Sequence, residues 1–214
     1  ADVEFRCGEQ MKKRTVSLKP GVNTITQEFV IRKPKLWWPA GMGEQPLYRV
    51  SVSTDGQTLE KKIGLRKIEV GENLAFKVNG KRVFAKGANW IPCDTEEEKQ
   101  TPERYLDLLT SDRDANMNMI RLWGGGKFEK DCFYEICDSL GLLIWHDFMF
   151  ACAMYPATEE FLGEVSAEIT HQIKRLQSHP SIALWCGDNE GIGNYNKRIW
   201  KKNPELYRAE YEAL

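Results

Sequence analysis

An amide between two acids, Asp188, Asn189 and Glu190, follows the apolar residues Ile182, Ala183, Leu184 and Trp185 in the stretch "SIALWCGDNE". A carboxyl at the end of a buried strand is partly shielded from water, and shielding disfavours its charged form, which suits a general acid working near neutrality. Asn189 beside it offers a neutral amide that can bond a hydroxyl without competing for the proton. The same juxtaposition recurs three times upstream: Asn89, Trp90 and Asp94 after one apolar run, Arg121 and Trp123 at a second, and Trp145, His146 and Asp147 at a third.

Trp90, Trp123 and Trp145 present flat apolar faces that suit the C–H face of a pyranose, and Asp94, Asp147 and Arg121 can take its hydroxyls or brace the catalytic group. Each tryptophan also fits plain packing, and Asp147 and Asp188 fit caps or supporting partners as well as ligand contacts. Arg121 interrupts an apolar run and is expected to be a paired internal ion, because a lone buried cation is costly. "WGGGKF" lacks the GxxxxGK[ST] spacing of a phosphate loop. His146, His171 and His179 lack metal-ligand spacing, so neither a metal nor a cofactor is expected. Cys93 and Cys186 read as small pocket fillers, since no Cys-His-Asn order supports a thiol nucleophile.

These residues need elements to bring them together. Residues 1–70 alternate apolar and polar positions around turns at Pro20-Gly21 and Asp55-Gly56, the pattern of an antiparallel sheet with one wet face. "PKLWWPAGMGEQPLY" interrupts that pattern as a structured loop, and Asn79-Gly80 marks a further hairpin. Beyond it, strands alternate with helices: "KRVFAKGANW", a helix over 102–116 capped by Thr101, "MIRLW", a helix over 127–140 stopped by Gly141, "LLIWHD", a helix over 158–178 barred by Pro180, and 181–186. Near-continuous apolar strands between amphipathic helices predict a parallel sheet. Chemistry at four separate strand ends favours a (β/α)8 barrel over a doubly wound sheet, whose site gathers near one crossover.

Thirty basic and 31 acidic residues give a net charge of −1, with no basic stripe for nucleic acid. No apolar run approaches the roughly 18 residues of a membrane span. Six cysteines at irregular spacing, with no CxxC pair, predict reduced thiols, with a disulfide open to an exported chain. No leader pattern opens the chain, and a mature exported, periplasmic or lysosomal protein remains compatible, so the compartment is left open.

Taken together, "FAKGANWIPCD", "ANMNMIRLWGGG", "FYEICDSLGLLIWHDFMFACAMYP" and "HPSIALWCGDNE" resemble the β-mannosidases of glycoside hydrolase family 2. "PKLWWPAGMGEQPLYRV" and "IGLRKIEV" resemble the last strands of that family's immunoglobulin-like domain. The resemblance implies an α/β chain with residues 1–72 as the C-terminal part of an immunoglobulin-like β-sandwich and 73–214 as the N-terminal half of a TIM-barrel catalytic domain. It implies a retaining exo-hydrolase releasing terminal β-D-mannose from oligosaccharides or N-glycan remnants. Glu190 matches the acid/base, Asn189 the amide near the 2-hydroxyl, and Trp123 an aromatic wall. Trp90, Asp94, Asp147 and Trp145 match positions around the pocket, with Arg121 and Asp188 in support. The family's nucleophile lies on a seventh strand, so these 214 residues supply none. Four β/α units would leave open sheet edges, to be covered by the remainder of a longer parent or by self-association. The alternative of another class is an inactive carbohydrate-binding or structural module; a Glu at the seventh strand end of the parent reading frame discriminates.

Overall fold

The computed structural model describes residues 1–153 and 155–191. Met154, Gly193 and the charged run at 200–205 lie outside the described residues.

The first sheet joins β1 (Asp2–Cys7), β2 (Gln10–Thr15), β3 (Tyr48–Thr54) and β4 (Gln57–Ile63) antiparallel, in spatial order β2-β1-β3-β4. Asp55 and Gly56, at φ 48° and 77°, make the tight β3–β4 turn that their types demand. The hairpin expected around Pro20-Gly21 closes differently. Residues 24–30 run back along β2 without a backbone ladder, because side chains of β2 take that place: Gln10 Nε2, Lys12 Nζ and Arg14 Nη1 donate to the carbonyls of Val30, Glu28 and Thr26. Alternation in the sequence does not distinguish these two ways of satisfying carbonyls.

A second antiparallel sheet holds β5 (Ile68–Val70), β6 (Phe76–Val78) and β7 (Lys81–Val83), with Asn79-Gly80 turning β6 into β7. The strand expected over "KRVFAKGANW" is therefore two, β7 here and β8 (Gly87–Trp90) in the third sheet.

That third sheet is parallel: β8, β9 (Met119–Leu122), β10 (Leu143–Asp147) and β11 (Ile182–Cys186) lie side by side in chain order without reversal. Its crossovers are α1 (Pro102–Asp114), α2 (Asp131–Leu140) and α3 (Glu159–Leu176). Thr101 accepts from Arg104 N at 3.3 Å and Pro102 occupies the first turn, so α1 starts where its cap puts it. Gly141 ends α2 at φ 78°.

All three helices contribute to one face. Trp90, Ile120, Leu122, Ile144 and Ile182 from the strands pack with Tyr105 and Leu109 of α1, Phe133, Tyr134 and Cys137 of α2 and Leu176 of α3. On the other face, Met119 and Leu143, near the strand starts, pack with Trp37, Phe76, Val78 and Val83. The Trp-rich loop thus has a definite task. Trp37 is fully buried and donates Nε1–H to the Asp138 carbonyl at 2.7 Å. Nearby, Arg66 donates to the carbonyls of Pro180 and Ile182, clamping the antiparallel part to the start of β11.

The long stripe of α3 is less buried than its periodicity suggests: Leu176 is buried, whereas Phe161, Val165, Ile169 and Ile173 are half-buried. Between this stripe and Phe128, Phe148 and Phe150 lies a cleft of about 690 Å³. No helix of the described residues is long and apolar enough to cross a membrane.

Candidate active site at the ends of the parallel strands

Strand pleating decides which side chains meet. Arg121 on β9 alternates with the helix-facing Ile120 and Leu122, and Asp147 on β10 alternates with helix-facing His146. Both therefore rise on the face away from the helices. Arg121 Nε and Nη2 donate to the two carboxylate oxygens of Asp147, at 3.1 and 2.6 Å. Nη2 also donates to Asn189 Oδ1 at 2.9 Å. Asp147 is fully buried and gains a third donor, the Gly124 N–H at 3.1 Å. This is the paired internal ion expected of Arg121: a two-pronged contact with one further donor on Oδ2, which offsets the cost of desolvating the pair.

Asn189 and Glu190 extend the sheet past β11. Phe148 N donates to Cys186 O, Asn189 N to Phe150 O, and Cys152 N to Asn189 O, making a parallel bridge of Ala151 with Asn189. Arg121 holds the amide oxygen of Asn189, which directs the NH2 away from the ion pair; one of its hydrogens goes to Cys152 Sγ at 3.3 Å. Glu190 follows at φ 62° and is exposed, so the shielding expected at this strand end is not provided by the described residues. Among the described residues its side-chain partner is the Cys152 thiol, 3.8 Å from Oε2, and no cation pairs with it.

The glycines after β9 are dictated by contact. A Cβ on Gly125 would sit 2.0 Å from the Trp123 ring, and one on Gly124 would sit 2.4 Å from Phe150 O. The half-buried Trp123 indole thus lies over bare backbone, and the loop closes tightly enough for Gly124 N–H to reach Asp147.

Of the other expected site residues, Trp145 adjoins the ion pair and the rest do not. Trp90 is on the helix face, paired in register with Leu122 and packed against Tyr105 and Phe133. Its indole N–H donates to Glu129 at 3.0 Å, and period-two pleating turns it from the rim. Trp185 likewise faces the helix side, stacked on Phe148 with centroids 5.4 Å apart, and does not back Glu190. Trp145 lies one pleat below Asp147, with the Arg121 guanidinium 5.7 Å over its ring. Asp94 spends its carboxylate on the Glu96 N–H in a local turn. Asp188 is half-buried, and among the described residues only its carbonyl, which accepts the Cys186 thiol, is engaged.

Glu129 escaped the sequence reading, and His146 gains partners that its spacing did not specify. Glu129 is a buried carboxylate accepting from Trp90 and, at 2.6 Å, from Tyr105 OH; burial and this carboxylate push the Tyr105 phenol well above its ordinary range. His146 is fully buried, its Nδ1 at 2.7 Å from the Asp147 carbonyl and its Nε2 at 2.9 Å from Tyr134 OH. A carbonyl can only accept, so Nδ1 carries the proton and Tyr134 donates to Nε2. Burial lowers the imidazole pKa to about 4. Among the described residues no cluster of three or more His, Cys, Asp or Glu could hold a metal ion.

The sequence model of "Glycosyl hydrolases family 2" matches residues 4–66. Over 203 residues the chain is 43% identical to the β-mannosidase of Capra hircus, covering 88% of this chain and 22% of that protein. The crystal structure of the β-D-mannosidase from Dictyoglomus thermophilum superposes with a TM-score of 0.89 at 41% identity, over 98% of this chain and 28% of that one. This chain belongs to glycosyl hydrolase family 2. It spans about a quarter of the length of these relatives. A family 2 fold does not by itself choose a sugar: a β-glucuronidase from Parabacteroides merdae superposes at TM-score 0.77 with 20% identity, over 98% of this chain and 27% of that one.

Proposed function

We propose that the chain is the part of a retaining β-mannosidase that carries its general acid/base, with residues 1–72 completing an immunoglobulin-like sandwich and 73–214 opening a TIM barrel. In-order parallel strands with all their helices on one face support the barrel, since a doubly wound sheet reverses strand order and covers both faces. The observation that carries the function is the convergence of Arg121, Asp147 and Asn189 from three strand ends, with Glu190 next in sequence.

In this reading Glu190 protonates the glycosidic oxygen as the bond to the aglycone breaks, then takes a proton from the water that releases the sugar. Its partner is a carboxylate nucleophile on a seventh strand, outside these 214 residues. The Asn189 amide, turned by Arg121, offers N–H to the sugar oxygen beside the reacting carbon. Trp123 supplies an apolar wall. Trp145 supports the site from below, under the Arg121 guanidinium.

The test is hydrolysis of p-nitrophenyl β-D-mannopyranoside, beside the matching glucoside, galactoside and glucuronide, by the full-length protein. Mannoside turnover should exceed the others and fall by about 10²–10⁴ in Glu190→Gln, the usual worth of general acid/base assistance. Preference for another glycoside, or undiminished turnover in the variant, would refute the reading. Full-length protein that binds mannosides without cleaving them would identify the carbohydrate-binding module.

A further inference from the structure

The acid/base candidate is not joined directly to the buried ion pair; a thiol stands between them. Arg121 donates to Asn189 Oδ1 at 2.9 Å, Asn189 Nδ2 donates to Cys152 Sγ at 3.3 Å, and Cys152 Sγ lies 3.8 Å from Glu190 Oε2. The direction of each contact is fixed by chemistry. A guanidinium only donates, so the amide oxygen accepts; the amide NH2 then donates to sulfur; the sulfur, having accepted, turns its S–H to the carboxylate.

Backbone geometry agrees that this residue is held for a purpose. Cys152 and Glu190 are both non-glycine residues in the left-handed region, at φ 52° and 62°. Such conformations persist where surrounding contacts over-determine them. Here those contacts are the Ala151–Asn189 bridge, the Cys152 N–H to Asn189 O bond, and the Tyr155 hydroxyl, which accepts from Ala151 N at 2.9 Å. The loop after β10 is thereby fastened to Asn189, the residue before Glu190.

We propose that Cys152 is a positioning residue that orients Glu190 for proton delivery, coupling it through Asn189 to the Arg121–Asp147 pair. The proposal rests on Glu190 being the acid/base. It excludes a nucleophilic role for the thiol, which donates to a carboxylate and attacks nothing.

A positioning role for a proton donor makes its effect depend on how much proton the leaving group needs. The full-length enzyme and its Cys152→Ala and Cys152→Ser variants are assayed on p-nitrophenyl and 2,4-dinitrophenyl β-D-mannopyranoside, and on mannobiose, whose alkoxide leaving group needs protonation most. Cys152 is exposed and both variants keep its Cβ, so folding is preserved, as thermal melting checks. Cys152→Ala should lose about tenfold in kcat/KM on mannobiose, a part of what general acid assistance supplies, and under twofold in kcat/KM on the dinitrophenyl glycoside. Cys152→Ser, which keeps a donor and acceptor, should recover most of that loss. Equal losses on all substrates, or none, overturn the proposal. Glu190→Ala runs alongside: a steep leaving-group dependence of kcat/KM there with a flat one for Cys152→Ala refutes only the thiol's role, whereas a flat dependence of kcat/KM in Glu190→Ala refutes both.

Discussion

Asp147 and Arg121 are unequal partners. The carboxylate is fully buried, whereas the guanidinium side chain is 26% exposed. Removing Arg121 strands a charge with no route to water, while removing Asp147's charge leaves a cation that can turn to solvent. Arg121→Ala should therefore lose about 3–5 kcal/mol of unfolding free energy, and Asp147→Asn a smaller amount, about 1–3 kcal/mol. Urea titration of both variants measures this, and equal losses would contradict the asymmetry. His146 gives a pH signature. Its folded pKa, lowered to about 4 by burial, lies below the ordinary histidine value near 6.5, so the unfolded chain binds the proton more readily between them. Its contribution is fully present above about pH 6.5 and is lost as pH falls toward 4, on the order of 3 kcal/mol in all. Denaturant midpoints measured across that window should rise with pH, and His146→Asn, which keeps a donor near the Asp147 carbonyl, should flatten the rise.

At the scale of elements, the chain order of strands and helices was readable because each signal was local: Thr101-Pro102 starts α1, Gly141 stops α2, Pro180 follows α3 and Asn79-Gly80 turns β6 into β7. The direction in which a strand-end side chain points was not readable, because a one-residue change in register exchanges the two faces. Trp90 and Trp123 look alike in sequence, yet one is buried against Glu129 and the other lies over Gly125. Arg121 was legible, since an apolar strand tolerates an internal cation only with a partner. Cys152 and Glu129 gave no such sign: their contacts run to residues 37–38 and 24–39 positions away in the chain. The glycines after β9 give the prediction that belongs here. Gly124→Ala would drive a Cβ into Phe150 O, moving the loop and removing the Gly124 N–H from Asp147. The expected result is a loss of about 1–3 kcal/mol for the unsatisfied carboxylate, with mannoside turnover falling alongside, read by melting and by assay.

At the scale of the molecule, two antiparallel sheets and one parallel sheet are joined by few but well-buried residues. Trp37 fills the joint and Arg66 bonds two carbonyls at the start of β11. Trp37→Ala should cost about 3–5 kcal/mol, as loss of a large core aromatic does, although the residue lies at the far end of the strands from Glu190. The 214 residues alone should give no turnover of p-nitrophenyl β-D-mannopyranoside above a Glu190→Gln preparation, since the proposed reaction needs a second carboxylate.

Chemical rescue of Glu190→Ala tests the proposed role of this carboxyl most directly. With 2,4-dinitrophenyl β-D-mannopyranoside the full-length variant should still form its glycosyl-enzyme, because that leaving group departs without a proton. Azide, needing no general base, should then intercept the intermediate and raise turnover, with β-mannosyl azide as the product seen by NMR. Unchanged turnover and no β-mannosyl azide, from a variant shown to be folded, would contradict Glu190 as the acid/base.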